Sequence, residues 1–298
     1  MGESDEKKFS IIHIDAGDLA KPASLLIEKI SDAIGGIAKP WQLRRVAEAE
    51  VAAERIRATG EVKITELHRR AARRFIMEEA KKQNNMEGII VKALPDVTEG
   101  AKPEQLEDDW ITNFFDKCRL VSDEEMQALW AKILSGEVNS PGKFSKRTID
   151  LVSGLDKSDA LSFSTLCNFN FSIAPGDQFP LIYDKDSKIY TENGVFFSLL
   201  AHLESIGLIH FGEVTGYVRR GLGQSGYLYY FGQKVWIEFA KPNDNELQLG
   251  HVILTRAGLQ LASICISHPQ EGFVEYVKEK WRGFGYKTEP PPHPNPTP

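Results

Sequence analysis

Cysteine is scarce in this chain of 298 residues: Cys118, Cys167 and Cys265 are odd in number, far apart and not clustered with histidine. That pattern fits buried, reduced thiols in a cytoplasmic protein rather than a disulfide framework or a thiolate zinc site. Long apolar runs are missing too. No stretch approaches the ~18 residues a membrane-spanning helix needs, and the polar start MGESDEKKFS has no secretory pattern. Charge of one sign is also lacking: 36 Lys and Arg face 42 Asp and Glu, and a net charge of -6 argues against wholesale binding to nucleic acid or anionic membrane. Catalytic signatures are absent as well. No histidine pair stands at HExxH or HxH spacing, no G-x-S-x-G elbow occurs, and the glycines at 212, 216, 221, 223 and 226 lack a Gly-Lys-Ser/Thr ending. They predict hairpin turns. No cofactor and no metal are expected, and the expected role is non-enzymatic.

What is present is blockwise charge. From Arg44 to Lys82 eleven bases face seven acids, whereas from Asp96 to Glu125 ten acids face three bases. After a ragged tail, Leu26, Ile30, Ile34 and Ile37 form a narrow stripe flanked by Lys21, Lys29 and Lys39. A short amphipathic helix is expected there, packed on the body or a partner subunit in preference to a membrane surface. Residues 41–94 are free of proline and rich in Ala, Glu, Arg and Leu. They predict a long basic helix, bent or split at Gly60, whose sparse apolar positions (Val46, Val51, Ile56, Ile64, Leu67, Ala71, Phe75, Met86) pair with another copy.

Residues 121–155 spell a helical hairpin. Ser122 reads as an N-cap with Glu125 completing a capping box, and Met126, Leu129, Trp130, Ile133 and Leu134 recur on one face. Gly136 is expected to stop that helix and Pro141-Gly142 to turn the chain, with a second helix opening at Phe144 or Ser145. Upstream, a helix over Trp110 to Arg119 buries Trp110, Phe114 and Phe115. Downstream, Ser158 is expected to cap a helix through Phe163, Leu166 and Cys167.

The texture changes after Phe171, where Pro175-Gly176, Pro180 and Gly194 punctuate the chain and aromatic runs around 217–238 predict strands. A helix over Val195 to Ile206, a strand pair, and a strand running through Thr255 into a capped helix resemble the order of a winged helix. Arg219 and Arg220 then fall at the wing tip, where they are candidates for contact with nucleic acid, although a solvated turn explains them slightly better. Arg70, Arg73 and Arg74 share one helical face and are candidates for phosphate. A neutralised face or an inter-subunit seam is favoured, because Glu66, Glu78 and Glu79 are close. Glu107, Asp108 and Asp109, like Asp123, Glu124 and Glu125, read as acids at helix starts rather than as metal ligands.

The segments LW-AKILSGE (Leu129 to Glu137), PGKFSKRT (Pro141 to Thr148) and DA-x-x-F (Asp159 to Phe163), with RRVAEAE, RAARR and QNNMEGI upstream, resemble a bacterial family known only as a domain of unknown function. The resemblance covers roughly residues 19–171 and implies no activity. It marks Trp130, Glu137, Ser145 and Arg147 as motif positions, to which chemistry assigns a structural role, with Glu137 receiving Arg147 or capping the second helix. A fainter similarity runs to the abortive-infection alpha module, and it implies a phage-defence or mobile-element setting.

The expected fold is mainly α with a C-terminal α+β part. It comprises a tail and amphipathic helix (1–40), a long basic helix or helical pair (41–94), a helical bundle (95–171), a winged-helix-like domain (172–288) and a proline-rich tail (289–298). The expected function is that of a homo-oligomeric interaction or sensor protein with an unidentified protein partner. The alternative is a DNA-binding regulator working through the C-terminal domain.

Overall fold

Two helix starts in this protein, at Asp123 and Asp156, are set by carboxylates, which accept the amide protons that the first turn leaves unpaired more strongly than hydroxyls do. A computed structural model describes residues 21–34, 66–174, 177–212 and 214–290. The expected tail over 1–20, residues 41–65 of the expected long helix and the chain beyond 290 lie outside the described residues. The molecule divides into two compact units, residues 1–149 and 150–298.

The first unit is helical where it is described. It contains α1 (Lys21–Ile34), α2 (Glu66–Ala93), α3 (Asp108–Cys118) and α4 (Glu124–Asn139), and α5 (Lys146–Val152) carries the chain onward. Leu26 and Ile30 of α1 are fully buried, and α1 lies along α3, so its stripe is used within the unit. The second half of α2 lies along α4 with Asn85, Ile89, Ile90 and Ala93 buried, and Asn85 donates from Nδ2 to the Arg119 carbonyl at 2.9 Å.

Two expectations for α4 are corrected. Its N-cap is Asp123 rather than Ser122: Oδ1 accepts from the backbone N–H groups of Glu125 and Met126, both at 3.0 Å. Gly136 does not stop the helix, which runs on to Asn139. The glycine makes room instead, because a Cβ there would lie 2.8 Å from Cε2 of Phe144. Around that contact stands an aromatic core. Trp130 is fully buried, edge-on to Phe114 at 5.1 Å between centroids, and Phe114 stacks on Trp110 at 5.1 Å. Such pairs add directional attraction to the apolar area they bury.

In the second unit, α6 (Lys157–Cys167) starts at Asp156, not at Ser158. Asp156 and Asp159 cap each other's backbone N–H reciprocally, and the Ser158 hydroxyl donates to the Asp156 carboxylate at 2.7 Å. Then follow β1 (Asn170–Ser172), β2 (Gln178–Pro180), α7 (Lys188–Thr191), α8 (Phe197–Ser205) and β3 (Ile209–Phe211). After these come β4 (Tyr217–Leu222), β5 (Ser225–Tyr230), β6 (Gln233–Glu238), β7 (Asn245–Gly250) and β8 (Val252–Leu254), and α9 (Arg256–Ala262) and α10 (Phe273–Gly283) close the chain. Thr255 caps α9, its hydroxyl oxygen accepting from Gly258 N–H at 3.0 Å. A Cβ on Gly258 would meet the Leu208 carbonyl oxygen at 2.0 Å, so only glycine fits where α9 backs onto that strand.

The fold class is therefore corrected. The chain is about half helical with 16% strand, an α+β protein rather than a mainly α one with a winged-helix-like end. The strands form three antiparallel nested pairs, β3 with β8, β4 with β7, and β5 with β6, and the innermost pair joins β1 and β2 in a sheet of order β2-β1-β5-β6. The physical reason is long-range pairing. β1 and β2 come from the proline- and glycine-punctuated stretch, and their extended residues are fixed by the pairing of β1 with β2 and with β5. Against this sheet sits a second aromatic core centred on Phe273, whose ring lies 4.9 Å from Phe169 and 5.4 Å from Tyr230. Trp281 Nε1 donates to the Tyr183 hydroxyl at 2.8 Å, and that hydroxyl donates to the Gln248 carbonyl at 2.9 Å.

Trp130→Ala is expected to cost about 3–5 kcal/mol of stability, the scale for emptying a large aromatic site, when read by urea denaturation. Trp130→Phe should cost clearly less, because the buried indole N–H of Trp130 has no hydrogen-bond partner among the described residues and the substitution removes it.

Candidate interaction surface

Nothing in Glu66–Ala93 breaks a helix, and Ala, Glu, Arg and Lys dominate its first half, so α2 propagates over 28 residues, about 42 Å. Only its second half is covered. Every residue from 66 to 81 is exposed, including Leu67 (65%), Phe75 (64%), Met77 (50%) and Ile76 (43%). At about 100° per residue, Phe75, Ile76 and Met77 point to three different sides of the helix, so no single flat surface covers all three. A helix that leaves such residues in water over three turns is not stabilised by its own fold at that place.

Charge divides along the same segment. Arg70, Arg73 and Arg74 precede Phe75, whereas Glu78 and Glu79 follow it. The three arginines are exposed, and Arg74 Nε stands 3.5 Å from Glu78 Oε1. Glu66 pairs with Arg69 at 2.9 Å and Glu79 with Lys82 at 2.6 Å. Exposed pairs of this kind contribute a few tenths of a kcal/mol each.

The remaining sequence candidates occupy other places. Arg219 and Arg220 lie on strand β4. Arg219 Nη1 reaches Asp177 at 2.6 Å and Arg220 Nε reaches Glu246 Oε1 at 2.9 Å, so each guanidinium already has a carboxylate. The two acidic runs are similarly occupied: Asp108 pairs with Lys29 at 2.5 Å, Asp109 with Lys146 at 3.4 Å, Glu124 with Lys92 at 3.0 Å, and Asp123 caps α4. Among the described residues no group of three His, Cys, Asp or Glu side chains could hold a metal ion, and no helix is long and apolar enough to cross a membrane.

Trp130, Glu137, Ser145 and Arg147 belong to the hairpin of α4 and α5. Glu137 is buried, and its carboxylate accepts from the backbone N–H of Gly142 at 2.6 Å and of Phe144 at 2.7 Å. Its partners are these turn amides, while Arg147 is exposed. Desolvation pushes the Glu137 carboxyl above the ordinary range, outweighing the pull of the amides in the opposite direction. Ser145 closes the start of α5, its Oγ accepting from Thr148 N–H at 3.2 Å. One pairing had no signal in the sequence: His202 Nε2 lies 2.6 Å from Asp159 Oδ1, across 43 positions. Asp159 is nearly buried and its other oxygen accepts from Asp156 N–H at 3.0 Å, so the pair ties α8 to the start of α6. Glu204 is used in the same way, accepting from Phe211 N–H at 2.8 Å.

A family model described as a protein of unknown function, DUF2806, matches residues 69–278. No curated protein and no solved structure matches the chain.

Glu137→Gln is expected to cost about 1–3 kcal/mol at neutral pH, because one of two acceptors becomes an amide donor facing an N–H. The folded pKa of Glu137 is raised, so its protonation favours the folded state: the contribution is full below the unfolded value and is lost as pH rises through the folded one. The wild type should therefore gain stability relative to Glu137→Gln as pH falls toward 4.5, the ordinary value. Urea denaturation of both proteins across that pH range checks the sign.

Proposed function

The chain belongs to DUF2806, a family of unknown function, and from that premise we propose that it is an interaction protein, working by assembly rather than catalysis, that pairs with a second copy of itself through the exposed half of α2. The observation that carries this reading is the run Phe75, Ile76 and Met77, exposed in a helix that is otherwise well formed. Burying them against protein recovers apolar area that the single chain leaves in water. The distribution of charge favours antiparallel pairing. Two copies of α2 crossing near Phe75 and running in opposite directions place Arg70, Arg73 and Arg74 of one beside Glu78 and Glu79 of the other. Parallel copies would align like charges. Because the three apolar residues point to different sides, the assembly encloses α2 from more than one side. The similarity to the abortive-infection alpha module extends the reading to a defence or mobile-element setting, in which assembly would be the response to a trigger.

Sedimentation velocity on the full chain over micromolar concentrations is expected to show an oligomer. Substituting Phe75, Ile76 and Met77 together by Ser should weaken self-association by about 100-fold or more, the scale for losing interface anchors of ~2 kcal/mol. The stability of the monomer should be unchanged, since all three side chains are exposed. Arg70→Glu with Arg73→Glu should weaken assembly, and adding Glu78→Arg with Glu79→Arg should restore it. A wild-type monomer at tens of micromolar would overturn the proposal.

A further inference from the structure

The two cysteines of the second unit are brought together by the fold, although 98 positions separate them. Cys167 ends α6, and Ser164 stands one helical turn earlier on the same face. Cys265 lies on the segment that links α9 to α10, and its Sγ is 3.0 Å from Ser164 Oγ. Cys265 is the neighbouring thiol of Cys167, with Cys167 buried and Cys265 partly exposed. The same segment is already pinned beyond Cys265: His268 N–H donates to Asn168 Oδ1 at 2.8 Å and Gln270 N–H to the Tyr230 hydroxyl at 2.6 Å. Cys118, buried in the first unit, supplies an internal comparison, and burial pushes its thiol far up.

We propose that Cys167 and Cys265 form an oxidative modification site, in which a peroxide converts the thiol pair reversibly into a disulfide that staples the segment after α9 to the end of α6. The roles follow from access. Cys265, which reaches solvent, attacks the peroxide: its sulfur–oxygen bond forms as the oxygen–oxygen bond breaks, and the departing hydroxide takes a proton to become water. Cys265 is now a sulfenic acid. The Cys167 sulfur attacks that sulfur, the sulfur–sulfur bond forms, and the sulfur–oxygen bond breaks. Hydroxide leaves with the proton of the Cys167 thiol as a second water. Two thiols and one peroxide thus give one disulfide and two waters. Burial raises the Cys167 thiol well above its ordinary value, which makes this second step the slow one and lets it accelerate as pH rises. Once Cys265 is a thiolate, the Ser164 hydroxyl 3.0 Å away can only donate to it, which favours that form.

The test uses the full chain treated with hydrogen peroxide, quenched, unfolded and alkylated. The expected result is that one of the three thiols remains alkylatable, that intact mass falls by about 2 Da, and that peptide mapping finds Cys167 joined to Cys265. Dithiothreitol should restore all three thiols. Cys167→Ser should give no bridge and leave a Cys265 sulfenic acid that dimedone traps. Ser164→Ala, added to Cys167→Ser, should slow the formation of the dimedone-trapped Cys265 sulfenic acid several-fold. Three alkylatable thiols after millimolar peroxide, or Cys265 carried to a sulfinic acid without a bridge, would overturn the proposal.

Discussion

Phe144 is where the first unit is fastened. Its N–H donates to the buried Glu137 carboxylate, its carbonyl accepts from Trp110 Nε1 at 2.7 Å, and its ring fills the space that Gly136 leaves on α4. One residue therefore joins α3, α4 and the turn into α5 through three unlike interactions. The carboxylate resides in a place unfavourable to charge, where it accepts the backbone N–H groups of Gly142 and of the buried Phe144. These bonds counter only part of the desolvation of the acid, and the aromatic core of Trp110, Phe114 and Trp130 lies beside the arrangement.

Legibility in the sequence followed the range of each interaction. Trp110, Phe114, Phe115 and Trp130 recur at helical spacing, and the structure buries all four. Thr255 before an apolar run marks a helix start, and it caps α9. Caps chosen between adjacent candidates were harder: Ser122 against Asp123, and Ser158 against Asp156, differ only in which oxygen reaches the amides. The sheet was least visible. The turn between β5 and β6 is Phe231-Gly232, with φ of 46° and 84°, a geometry that Asn-Gly ordinarily announces and that here places an aromatic residue in left-handed backbone. β1 and β2 have three residues each and gain their identity only from partners far along the chain.

The candidate surface was legible in part. Leu67, Ala71 and Phe75 stand at helical spacing, and the surrounding arginines and glutamates are visible at once. The exposure of Ile76 and Met77 was not, because periodicity assigns apolar residues to an interior without saying whether the same chain supplies it. The Asp159–His202 tie and the meeting of Cys167 with Cys265 depend wholly on how α6, α8 and α9 are placed. Residues that touch across 43 or 98 positions leave no mark in local spacing.

The concentric arrangement of the strands bears on how the second unit comes to be folded. β5 and β6 are joined by two residues, so their pairing closes almost no loop. Once they have met, the chain between β4 and β7 is already drawn in, and pairing these strands draws in the chain between β3 and β8 in turn. Each closure then costs the entropy of a short connection, although the outermost strands are more than forty residues apart. A chain whose contacts are distant in sequence can in this way assemble from the inside outward by a succession of local steps, with β1 and β2 joining the β5 edge afterwards.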